Sequence, residues 1–153
     1  MPRKLVHIGG WMAAAGLVTG TASIFVPWMQ QLVVAGRARR VESLTILALP
    51  KGFWYVMLLL TLFALLGAAA MGSNQGRKLA GLAGPVVSLV TAFVVVGLIT
   101  MFDGKTGGPG RVVDVATQPG GWLALVSMPL LGFACGLIAI GRARPAVVTA
   151  ATG

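Results

Sequence analysis

Few residues in this 153-residue chain could do chemistry, and their types and spacing decide what kind. It has one histidine, His7, one cysteine, Cys135, and three carboxylates, Glu42, Asp103 and Asp114. A metal or haem centre needs several such ligands converging on one point. His7 has no cysteine, carboxylate or second histidine near it, which reads as a residue at the edge of an apolar run rather than a ligand. Cys135 lies within an apolar run, away from the cationic neighbours that activate a thiol, so it reads as inert. The glycine-rich stretch from Gly104 to Gly110 lacks the GxxxxGK spacing of a phosphate-cradling loop and reads as a flexible turn. Asp103 with Lys105, and Asp114 with Arg111, are near enough in sequence to pair. Exposed pairs of this kind contribute only about 0–1 kcal/mol, so these read as solvated loop charges. No catalytic pair, cofactor site or metal site emerges, and a non-enzymatic role is expected.

Transport chemistry would need polar groups or broken helices at the centre of a bilayer. The apolar runs offer only hydroxyls: Thr19, Thr21, Ser23, Thr61, Ser88, Thr91 and Ser127. Each can bond the backbone of its own helix. A pathway would then require an oligomer.

The element that must position everything else is the stretch from Phe53 to Gly72, twenty residues with neither charge nor proline. At 1.5 Å per residue, about 20 apolar residues match the roughly 30 Å hydrocarbon layer of a bilayer. Phe53, Trp54 and Tyr55 cluster at one end, where aromatic rings favour the headgroup level. Three more runs are comparable, and the predicted spans are residues 6–28, 53–72, 79–101 and 121–140. Pro85 is expected in the first turns of the third span and Pro129 inside the fourth, where it should kink the helix. Gly16 with Gly20, and Gly132 with Gly136, have the GxxxG spacing that lets helix backbones approach closely. Packing within one bundle is the favoured reading, and a homo-oligomer face is the alternative. Trp28, Trp54 and Trp122 stand at span ends as lipid-headgroup or partner contacts.

Residues 29–51 interleave β-branched and polar side chains in an imperfect period of two around Gly36-Arg37-Ala38-Arg39-Arg40. That predicts a short surface hairpin, with an amphipathic interfacial helix as the competitor. In the second long loop, residues 111–115 read as one short strand able to join the hairpin. Residues 73–78 read as a tight polar turn that makes the second and third spans antiparallel neighbours. The expected fold is therefore an all-α membrane protein. It is a single four-helix transmembrane domain with a small extracytoplasmic β-hairpin or sheet built from the two long loops.

The chain is 57% hydrophobic and 10% charged, with a net charge of +9. Its cations lie in short clusters rather than on a continuous basic face with stacking aromatics, which argues against nucleic-acid binding. Six cations and no acid fall in the short segments: Arg3, Lys4, Arg77, Lys78, Arg142 and Arg144. The long loops carry six cations and all three acids. Cation density places the short segments inside, with both termini cytoplasmic in a bacterial plasma membrane. Arg37, Arg39 and Arg40 form the densest basic cluster, suited to lipid headgroups or to a partner.

The order of these features carries a resemblance. A first span ends in Pro27-Trp28 and a second opens with GFWYVMLLLTLFALL; Arg77-Lys78-Leu79-Ala80-Gly81-Leu82 opens the third, and Pro119-Gly120-Gly121-Trp122-Leu123-Ala124-Leu125 opens the fourth. The chain resembles small four-span actinobacterial membrane proteins, including the tryptophan-associated membrane protein group. In outline it is similar to claudin-like bundles, whose first loop forms an extracellular sheet. The claudin loop signature of tryptophans and paired cysteines is absent, so no claudin function or disulfide carries over. The actinobacterial proteins imply no defined activity. The expected role is an accessory or scaffold subunit among membrane lipids and other integral membrane subunits. The alternative is a small oligomeric channel or transporter.

Overall fold

The structure is a computed structural model that describes residues 2–102, 104 and 110–142. The Asp103–Lys105 pair, most of the glycine-rich loop and Arg144 lie outside the described residues. The elements run in the order α1 (Pro2–Phe25), β1 (Met29–Ala35), β2 (Ala38–Leu44), a 3₁₀ turn (Ile46–Ala48), α2 (Gly52–Met71), α3 (Asn74–Thr100), β3 (Arg111–Thr117) and α4 (Pro119–Arg142). All four α-helices are long and apolar enough to cross a membrane.

Local chemistry explains where the helices start and stop, and it moves several expected boundaries. The first helix ends at Phe25 rather than 28, because Pro27 has no N–H to continue it and restricts Val26 before it. The third begins at Asn74 rather than 79. Ser73 caps it by accepting a hydrogen bond from the Gly76 N–H at 3.3 Å, so most of the expected polar turn is helical. Only Gly72 and Ser73 join α2 to α3. Pro85 therefore sits well inside α3 rather than in its first turns. Pro119 occupies the first position of α4, where a missing N–H costs nothing.

The helix at the centre is α4, which packs against all three others. Half of its span is buried, against 22–28% for the others. On α1 the buried residues Gly9, Ala13, Gly16, Gly20 and Ser23 follow alternating four- and three-residue steps, a seam facing one side. Tyr55, Leu59, Leu62, Leu66 and Ala69 make the same kind of seam on α2.

Both long loops feed one antiparallel sheet of order β2-β1-β3. The first loop thus forms a hairpin and not an interfacial helix. Its turn is Gly36-Arg37, with Gly36 at φ +61°, the position where a II′-type turn wants glycine. Along β1 the buried Met29, Gln31 and Val33 alternate with half-buried Gln30, Leu32 and Val34, so one sheet face is covered. Between Leu32 and Val33 a bulge shifts the pairing with β3. The sheet caps the end of the bundle where α1 and α3 finish and α2 and α4 begin.

Candidate functional site

Trp28 is central to how the sheet is mounted on the bundle, within a core that also takes in Met29 and Ile46. Pro27 removes the N–H that would have bonded the Ser23 carbonyl four residues earlier, leaving a buried acceptor. The Trp28 indole Nε1–H fills that vacancy, donating to the Ser23 carbonyl at 2.6 Å. Ser23 Oγ lies 2.6 Å from its own helix's Gly20 carbonyl and 2.6 Å from the Tyr55 hydroxyl on α2. The Trp28 and Tyr55 rings meet edge to face with centroids 4.9 Å apart. The Trp28 backbone then completes the joint. Its N–H donates to Leu44 of β2 at 2.8 Å, and its carbonyl accepts from Gln118, just before α4, at 2.8 Å. Gly120 must be glycine here, since a Cβ would stand 2.5 Å from the Val26 carbonyl oxygen and 2.6 Å from that of Pro27. Trp28 is 0% exposed. The expectation of a headgroup or partner contact at Trp28 is corrected, and its burial follows from the Pro27 gap it fills. Tyr55 likewise points into the core, away from its exposed neighbours Phe53 and Trp54.

Beyond this joint the sheet carries the charge. Arg37 lies in the hairpin turn and Arg39 and Arg40 follow it on β2, all three exposed. Register adds a fourth cation that local spacing did not reveal. Val34 of β1 pairs with Arg39 on one side and with Arg111 of β3 on the other, so those three share one face near the tip. Arg40 pairs with the buried Val33 and belongs to the opposite face. Asp114 accepts from the Val115 N–H at 2.9 Å rather than neutralising Arg111. Glu42 accepts from Gln31 Nε2 at 3.0 Å, on the covered face.

Of the four glycines expected to pack helices, three meet other helices and one does not. A Cβ on Gly16 would stand 2.8 Å from Leu131 of α4, and one on Gly20 3.1 Å from Leu59 of α2. The Gly16/Gly20 face is thus occupied within the chain and unavailable as a homo-oligomer seam. A Cβ on Gly132 would stand 2.7 Å from Ser88 Oγ of α3. Gly136 is corrected: a Cβ there would meet nothing within 4 Å, because one further turn of α4 rotates it off the α3 face. The residues that continue that contact are Gly84, where a Cβ would stand 2.5 Å from Cys135, and Gly81, where one would stand 2.8 Å from Ala139. Their three-residue spacing on α3 was the available signal.

Trp54 is 62% and Trp122 60% exposed, both near the sheet end of the bundle. Most hydroxyls bond their own helix, as at Thr19, Thr61, Thr91 and Ser127. Ser88 departs from the expectation by donating across to the Met128 carbonyl of α4 at 2.6 Å. His7 is exposed and Cys135 is a buried free thiol. Among the described residues no three His, Cys, Asp or Glu side chains gather as metal ligands would. Comparisons with family models, with curated proteins and with solved structures find no match to this chain.

Proposed function

We propose that the chain is a non-catalytic integral membrane protein, an accessory or scaffold subunit that presents a basic sheet to a partner outside a bacterial plasma membrane. One observation carries this reading: Arg39 and Arg111 share one face near the tip of the sheet, with Arg37 in its turn and Arg40 on the other face, and the sheet is fixed to the bundle by a buried aromatic joint. A rigid mount lowers the ordering cost of association, and guanidinium forks suit carboxylates in bidentate geometry. The occupant that fits is an acidic patch on the extracytoplasmic part of another membrane subunit. Inside the bundle the buried hydroxyls of Ser23, Ser88, Thr91 and Ser127 are spent on internal hydrogen bonds, which favours a packed anchor over a solute path.

Copurification in mild detergent followed by mass spectrometry tests the reading. A stoichiometric second subunit is expected, and recovery of this chain alone would overturn it. Solute flux from proteoliposomes of the purified chain would instead establish the channel alternative. Changing Arg37, Arg39 and Arg40 together to lysine keeps the charge and removes the forks. Attraction to anionic lipid, about 1 kcal/mol per cation near the surface, should survive that change. Partner recovery should fall several-fold; undiminished recovery would make the cluster a headgroup anchor.

In this reading the sheet is extracytoplasmic and both termini are cytoplasmic. A cysteine at Ser43 should react with a membrane-impermeant thiol reagent on intact cells, and one at Ser73 should not. Both serines are exposed, and the native Cys135 is fully buried and should give little background. Labelling at Ser73 alone would invert the orientation.

A further inference from the structure

Between the start of α2 and the last turns of α3 lies an open apolar cavity of about 440 Å³. Leu98 of α3 and Met101 and Phe102 just after it line one part of it, and Leu49 and Pro50, just before α2, line another. Its volume falls within the roughly 300–1,000 Å³ of small-molecule sites. Gly97 holds it open: a Cβ there would meet nothing within 4 Å. Two groups break the apolar lining, Lys51 and Trp54.

Lys51 is the one non-glycine residue among those described with a positive φ, +64°. It stands at the N-terminal end of α2 without a side-chain capping bond. Glycine would adopt that backbone freely, yet a cation is present. Neither the Lys51 ammonium nor the Trp54 indole N–H donates to any described residue. An apolar slot lined by two donors that bond no described residue, one of them charged, complements an amphiphile with an anionic head.

We propose that this groove binds one anionic phospholipid of the surrounding bilayer. An acyl chain lies over Gly97 between Trp54 and Met101, and Lys51 and the Trp54 indole hold the phosphate. The proposal rests on the reading of the four helices as membrane spans. It is independent of the arginine cluster, because β2 and β3 carry those arginines while the groove lies below the 3₁₀ turn. Held there, the lipid would contact both α2 and α3.

Native mass spectrometry of the detergent-purified chain, titrated with phosphatidylglycerol or phosphatidylcholine, provides the test. Wild type should retain phosphatidylglycerol about five- to tenfold better, the size expected from one cation. Lys51→Gln should abolish that preference and leave phosphatidylcholine retention unchanged. Gly97→Leu should fill the slot and lower retention of both lipids. Because its side chain enters open space, it should melt like wild type in lipid-free detergent. Should Gly97→Leu fail to fold, the Lys51→Gln comparison still decides. Equal retention of the two lipids by wild type, or an undiminished preference in Lys51→Gln, overturns the lipid site. Release of wild type from membranes by alkaline carbonate would overturn the membrane-span reading, and the proposal with it; a carbonate-resistant chain without lipid preference sinks the site alone.

Discussion

Replacing Trp28 by alanine should destabilise the protein by about 3–5 kcal/mol, the usual range for deleting a large buried aromatic. The ring is fully buried and packs edge to face on Tyr55. Its removal also leaves the Ser23 carbonyl without a donor, since Pro27 cannot supply one. Trp28→Phe separates the two contributions. It retains most of the ring contact but leaves the acceptor unsatisfied, a cost of about 1–3 kcal/mol. Thermal unfolding in detergent, followed by near-ultraviolet circular dichroism, measures both. An alanine variant melting within about 1 kcal/mol of wild type would mean that Trp28 does not form the joint. Because Trp28 ties α1, β2 and the approach to α4 together, recovery of the proposed partner should fall with stability in both variants.

Alanine at Gly84 or Gly132 should destabilise by about 1–3 kcal/mol, whereas alanine at Gly136 should be neutral or stabilising by up to about 1 kcal/mol. The added methyl is the same in each case, and the facing atoms decide the sign. At Gly84 it would stand 2.5 Å from Cys135 Cβ, and at Gly132 2.8 Å from Ser88 Cβ, separations that force α3 and α4 apart. Displacing Ser88 would also weaken its hydrogen bond to the Met128 carbonyl, which crosses the same contact. At Gly136 the methyl enters open space and only the helical preference of alanine remains. Melting temperatures of the three variants in one detergent provide the comparison. Equal losses at all three positions would mean that α4 is rotated from the orientation described.

The number of helices and their approximate lengths were legible in the sequence, because an uncharged run of 20 residues is a local property. The first-loop hairpin was legible too, since Gly36 punctuates two short stretches that alternate in polarity. Helix ends were read less well, because caps act within one turn: Ser73 pulled the start of α3 forward and Pro27 stopped α1 early. The direction each helix faces could not be read at all. In an apolar run every side resembles every other, so periodicity, the signal that orients an amphipathic helix, is missing. That is why Gly132 and Gly136 looked alike until their contacts distinguished them. It is also why Tyr55 looked like its exposed neighbours Phe53 and Trp54. The strand at residues 111–115 was visible as a strand, but its register against β1 was not. That pairing joins residues about eighty positions apart and is set by how α3 and α4 place the two ends of the second loop. Sequence alone thus determined four apolar helices, a hairpin and a cluster of three arginines. Tertiary structure decided that Arg111 joins them and that Trp28 is buried, because both depend on contacts between distant segments that local composition does not encode.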